Sequence, residues 1–222
     1  MSVRRLAPAQ PESFIWAPDS VMKVEFWLGK YPADRKRSAV IPLLWLAQKQ
    51  EGWVSEPAMR LIADQLEMPY IRVYEVATFY TMFNLAPVGR HHVQLCGTTP
   101  CALRGAEELK RVCEQRIGKQ MAVTPDGALS WLEVECLGAC VNAPMVQISS
   151  TESDHYYEDL TPAVFETLLD DLAAGREARP GSQVGRDTSA PAGGQTTLTD
   201  LGLYDGARGR PMTKLPNTGE PA

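Results

Sequence analysis

Four of the five cysteines stand in two close pairs, Cys96-x4-Cys101 and Cys136-x3-Cys140. Thiolates at such spacing can grip a metal or form a redox couple. The residues between them are small or turn-forming: Gly97-Thr98-Thr99-Pro100 in the first pair, Leu137-Gly138-Ala139 in the second. Glycine there lets backbone N–H groups approach a sulfur, and such donors stabilise a site with excess negative charge. Spacing alone leaves three uses open. Tetrahedral zinc accepts four thiolates, but its structural sites usually begin with a tighter C-x2-C. A [2Fe-2S] rhomb is larger, takes two thiolates on each iron and suits the looser loops. Thiol–disulfide chemistry is the third, although no C-x-x-C is present.

Other chemically able residues have plainer readings. Cys113 lies on the apolar side of its helix, at a spacing unrelated to either pair, and reads as a buried free thiol. His91 and His92 would serve a Rieske-type centre only by replacing one cysteine pair. Both pairs are complete, so the histidines read as solvated strand-edge residues. Pro144, after Asn142-Ala143 and before a strand, is a candidate cis-proline. Arg104 is either a neighbour of the thiols or a plain surface charge. Trp45, Trp53, Phe79, Tyr80 and Phe83 read as helix core, with an aromatic docking face as the alternative.

The elements that must position the thiols follow from period and punctuation. Residues 19–87 read as a helical bundle. Asp19 or Ser20 caps a first helix ending near Gly29. A second runs from Ser38 to Gln50, and Ser55 caps a third with Pro57 in its first turn. A fourth stretch spans Ile71 to Met82. At Ala86-Pro87-Val88-Gly89 the pattern switches. His91 to Cys96 alternates as a strand, and Cys101 to Ile117 reads as one helix with Leu103, Ala106, Leu109, Val112 and Cys113 inward. Short strands are expected at Met121–Thr124, Ala128–Glu135, Met145–Ile148 and His155–Tyr157. A last helix has Thr161 as N-cap, Pro162 at N1 and Val164, Phe165, Leu168, Leu169 and Leu172 inward. Helices followed by β-α-β, further strands and a helix describe a mixed α/β chain, with residues 88–178 as a thioredoxin-like layer. Each cysteine pair then falls where a strand gives way to a loop, at one end of the sheet.

From Pro180 to Ala222 the chain holds eight of the 17 glycines and five of the 17 prolines. It reads as a flexible tail that cannot offset its ordering entropy, with Leu198–Tyr204 as a short apolar patch. The net charge of −5 argues against nucleic acid as a partner. The longest apolar run, Ala39 to Ala47, is far short of the roughly 20 residues a bilayer span needs, so no membrane insertion is expected. The first residues, MSVRRLAPAQPESF, have no apolar stretch behind their arginines and do not read as a secretory signal. A reducing compartment is expected, where cysteines serve as ligands or free thiols. No G-x-G-x-x-G follows a strand and no Walker loop is present, so neither NADH nor flavin is expected to bind this chain.

The stretches CGTTPCALRGAEELKRVCEQRIG and VECLGACVNAPMVQI, with YPADRKRSAVIPLLWLAQKQEGW and VYEVATFYTMF before them, resemble the thioredoxin-like [2Fe-2S] ferredoxin subunits of respiratory complex I. The resemblance spans about Asp19 to Gly175. It implies that Cys96, Cys101, Cys136 and Cys140 ligate one [2Fe-2S] cluster. That cluster would exchange single electrons with the FMN of a partner flavoprotein subunit that oxidises NADH. It further implies a place in the peripheral arm of an NADH:quinone oxidoreductase, beside the flavoprotein and the large iron–sulfur subunit. That arm lies on the cytoplasmic side of the inner membrane, or the matrix side in a mitochondrion. Related subunits of NAD-linked hydrogenases or formate dehydrogenases are the alternative, and a four-cysteine zinc module a more distant one. The tail after Pro180 departs from the family pattern and inherits no role.

Overall fold

Four helices precede the first strand in the computed structural model, which describes residues 4–186 together with 189, 193, 196–197 and 199–200. They are α1 (Pro18–Gly29), α2 (Val40–Glu51), α3 (Glu56–Gln65) and α4 (Tyr70–Phe79). Local chemistry sets most of their ends. The Ser55 hydroxyl accepts from the Ala58 N–H, as an N-cap should, with proline in the first turn of α3. The start of α1 differs from expectation. Ala17 is its N-cap without a side-chain bond, because Pro18 needs no N–H partner and Asp19 already lies inside the helix. The Gln50 side chain supplies the missing tie, accepting from the Ala17 N–H and donating to the Ile15 carbonyl. The residues before α2, Ala33–Ala39, form a tighter 3-10 stretch, so α2 starts two residues later than its sequence pattern suggests. Leu43, Leu44, Met59, Ile62, Leu66 and Phe83 are fully buried at the centre of these helices.

Five strands form one mixed sheet in the order β2-β1-β3-β4-β5: β1 (His91–Cys96), β2 (Leu129–Val134), β3 (Val146–Ser149), β4 (Asp154–Glu158) and β5 (Gly181–Ser182). β1 runs parallel to β2, with Cys96 opposite Val134, and antiparallel to β3. Alternation puts Val93, Leu95, Leu129, Trp131, Val146 and Ile148 on one face, where they form a second core with α6 (Ala106–Arg116) and α7 (Pro162–Ala173). Thr161 caps α7 by accepting from the Val164 N–H.

The helix foreseen from Cys101 to Ile117 is two, α5 (Thr99–Leu103) and α6, because Gly105 adopts φ +107° between them. The break turns Leu103 outward, 82% exposed instead of in the core. Val164 is also partly exposed. Met121–Thr124 makes one isolated bridge, Val123 to Ser130, rather than a strand. β1 is a central strand, so His92 is buried among its neighbours and not solvated at an edge. Of the aromatic set, Phe83 is core, whereas Phe79 is 77% exposed. The sheet also takes in Gly181 and Ser182, two residues of the stretch read as tail. Apart from 199 and 200, the Leu198–Tyr204 patch lies outside the described residues.

The chain leaves the helices for β1 through a close contact. A Cβ on Gly89 would lie 2.5 Å from the Leu129 backbone carbon, and the Gly89 N–H donates to the buried Ser130 Oγ at 2.9 Å. Backbone cannot yield as a side-chain tip can. Gly89→Ala is therefore expected to cost about 1–3 kcal/mol, read as a lowered urea midpoint with unchanged slope.

Candidate metal centre

Parallel pairing of β1 and β2 brings the cysteines together. Cys96 is the last residue of β1, and Cys136 lies two residues beyond its register partner Val134 on the neighbouring strand. Both strands run in the same direction, so both thiols emerge at one end of the sheet. Cys101 follows on the short α5, and Cys140 opens a 3-10 turn, Cys140–Asn142. Ala106, Ala143 and Met145 close an apolar nest around Cys96 and Cys101, with Leu137, Ala139 and Tyr156 packed against it. The Ala143–Pro144 peptide bond is cis, at the position the sequence marks for one.

The four thiols stand as two pairs of different character. Cys96 and Cys101 are 2% and 1% exposed, while Cys136 and Cys140 face outward. The outer sulfurs are 3.3 Å apart. Among the described residues, no three His, Cys, Asp or Glu side chains gather as a single-ion site requires. Two facing pairs fit a dinuclear cluster, each iron taking two thiolates, better than one tetrahedral zinc.

Within each pair one thiol is the easier to ionise. Burial pushes Cys96 up, but hydrogen bonds from the Thr98 hydroxyl and N–H, from Cys101 and from the Leu137 N–H outweigh it and hold its pKa below the ordinary thiol value. Burial, reinforced by the bond to Cys96, drives Cys101 to about 12. In the outer pair the Gly138 N–H, 3.4 Å from the Cys136 sulfur, and then Cys140 lower Cys136, while the bond to Cys136 raises Cys140. Gly138 has φ +89°, the left-handed conformation that aims its N–H at the sulfur. Gly97 plays no such part: its N–H bonds the Val134 carbonyl. Cys113 is inert by comparison, enclosed between α6 and the sheet with burial pushing it up to about 12.

Two contributors have no sequence signal. The Tyr156 hydroxyl, on β4, donates to the Leu137 carbonyl at 2.7 Å and pins the second cysteine loop. Thr98 Oγ1 lies 3.3 Å from the Cys96 sulfur. Arg104 is exposed and lies outside the apolar nest that holds the inner thiols. A cleft of about 410 Å³, lined among others by Lys49, Arg90, His92 and Asp154, opens at the opposite end of β1 and touches none of the paired thiols.

The family described as thioredoxin-like [2Fe-2S] ferredoxin matches residues 24–173. An E-type subunit of the NADH-quinone oxidoreductase of Rhizobium meliloti (strain 1021) is 52% identical over 204 residues, covering 89% of this chain and 73% of its own. Its counterpart from the NADH-quinone oxidoreductase of Rickettsia bellii (strain RML369-C) is 57% identical over 145 residues, covering 64% and 84%. A crystal structure of the NAD+-reducing [NiFe]-hydrogenase in the H2-reduced state shares the fold, with a TM-score of 0.50 at 18% identity. That match covers 60% of this chain and 22% of the other. With paired thiols at the end of a mixed sheet and a family match over most of its length, the chain belongs to the thioredoxin-like [2Fe-2S] ferredoxin family.

Proposed function

We propose that this chain is the electron-transfer subunit of an NADH:quinone oxidoreductase, holding one [2Fe-2S] cluster on Cys96, Cys101, Cys136 and Cys140. The carrying observation is the convergence of two thiol pairs at the shared end of β1 and β2, with Cys96 closing β1 and Cys136 two residues past the end of β2. Bound there, the cluster takes up and returns one electron at a time. The chain's own residues do the rest. The apolar nest of Ala106, Ala143 and Met145 excludes water from the inner pair, and the Leu137 and Gly138 N–H groups offer partial positive charge to the Cys96 and Cys136 sulfurs. Assembly must displace protons, chiefly from Cys101 and Cys140, so loading is favoured as pH rises.

The electron's source is the FMN of a partner flavoprotein subunit that oxidises NADH, with the large iron–sulfur subunit as a second neighbour. The exposed outer pair puts one edge of the site within a partner's reach. The helical part, residues 19–87, provides the flavoprotein contact. Phe26, Ile71 and Phe79 give it exposed apolar surface, and its core is separate from that of residues 88–178. No helix among the described residues is long and apolar enough to cross a membrane. The chain sits in the peripheral arm, on the cytoplasmic side of an inner membrane or the matrix side of a mitochondrial one.

The test is reduction by NADH followed by electron paramagnetic resonance. With the flavoprotein present, NADH should generate the spectrum of a reduced [2Fe-2S] cluster. Without it, NADH should do nothing while dithionite still produces the signal. A cluster that NADH reduces equally well in the isolated chain would end this reading.

A further inference from the structure

Thr98 occupies the N-cap position of α5 yet makes no capping bond. Ser55 and Thr161, at the equivalent places of α3 and α7, both accept from a backbone N–H three residues on. A threonine at such a position ordinarily does the same. Its hydroxyl turns instead to the Cys96 sulfur at 3.3 Å. A ligating cysteine carries no proton, so the O–H must be the donor. Thr98 is half-buried, which limits competition from water for that bond.

We propose that the Thr98 hydroxyl is a potential-setting donor to the Cys96 sulfur, stabilising the reduced state. The assignment rests on the ligand set proposed above. Its sign follows from charge. One-electron reduction adds a negative charge that spreads onto the sulfurs, and a hydrogen bond to an anion strengthens as that anion gains charge. The donor therefore favours the reduced form, and its loss must make reduction harder. Backbone N–H groups at Leu137 and Gly138 act in the same sense, but they belong to the fold. Thr98 is the donor a point substitution can remove.

The experiment is a redox titration of the full, cluster-loaded chain, followed by electron paramagnetic resonance, for the wild type, Thr98→Val and Thr98→Ser. Valine keeps the branched shape and drops the hydroxyl; serine keeps the hydroxyl and drops the methyl. Thr98→Val should shift the oxidised-to-reduced equilibrium about tenfold toward the oxidised form, about 59 mV more negative for one electron. Thr98→Ser should titrate with the wild type. Equal potentials in all three at full iron content would overturn the proposal, as would valine and serine shifting together. If Thr98→Val loses the cluster while Thr98→Ser keeps it, the hydroxyl serves assembly and the proposal also fails. A wild-type chain that holds no iron, or a Cys101→Ser chain that keeps its cluster, would instead remove the ligand assignment beneath it.

Discussion

Cys101→Ser should yield a folded chain that no longer holds its [2Fe-2S] cluster. Cys101 is enclosed in the apolar nest at the foot of α5, and its partner Cys96 is equally buried. A serine oxygen there would be a harder ligand with a shorter reach, and water cannot enter to replace the missing thiolate. Losing an outer-shell partner already costs roughly 10- to 100-fold in metal affinity, and losing a ligand costs more. The measurements are iron and acid-labile sulfide per chain and the spectrum of the dithionite-reduced protein. Far-ultraviolet circular dichroism shows that the fold survives. Cys140→Ser, in the outward-facing pair, should keep a larger share of the cluster, since solvent can supply a replacement ligand there. Cys113→Ala is the control. It leaves both pairs intact and should retain full iron, though a small cavity beside α6 lowers stability. Full loading of Cys101→Ser would sink the ligand assignment.

The second large effect is acid lability centred on His92. Burial in the middle of the sheet drops its pKa from 6.5 to about 4. The Ser130 Oγ, which accepts from the Gly89 N–H, is 2.8 Å from His92 Nδ1. Above pH 6.5 the ring is neutral in folded and unfolded chains alike and adds no pH dependence. Between 6.5 and 4 the unfolded chain takes up a proton that the folded chain refuses, so stability falls as pH falls. The loss reaches about 2 kcal/mol at pH 5 and about 3 kcal/mol once pH 4 is passed. Half-buried His91, also lowered by burial and then by Arg90, adds a smaller change of the same sign. Urea midpoints of the wild type and His92→Gln, compared at pH 7.5 and pH 5, isolate the effect. Acid sensitivity of the cluster is common to both proteins and cancels in the difference. Identical pH dependence in the two would show that His92 carries no such penalty.

Much of the chain was legible from residue type and spacing. Ser55, Thr161 and the prolines after them marked helix starts because capping is a bond between neighbours in sequence. The alternation of His91–Cys96 marked a strand for the same local reason. The misreadings share the opposite cause. Leu103 looked inward because it continues the apolar face of α6, and one left-handed residue, Gly105, rotates that face away. His92 looked like an edge residue because nothing in the local pattern says how many strands flank β1.

The amino-acid sequence by itself determined the spacing of the paired cysteines, the lengths of the two loops between them and most helix ends, all matters of covalent order and short-range hydrogen bonding. Only the tertiary structure decided that one cysteine pair is enclosed and the other exposed, that the Thr98 hydroxyl lies against the Cys96 sulfur instead of capping a helix, and that His92 is buried. Those outcomes depend on strand pairing and packing between residues far apart along the chain, where burial, not neighbouring sequence, sets the energy of a charge or a hydrogen bond.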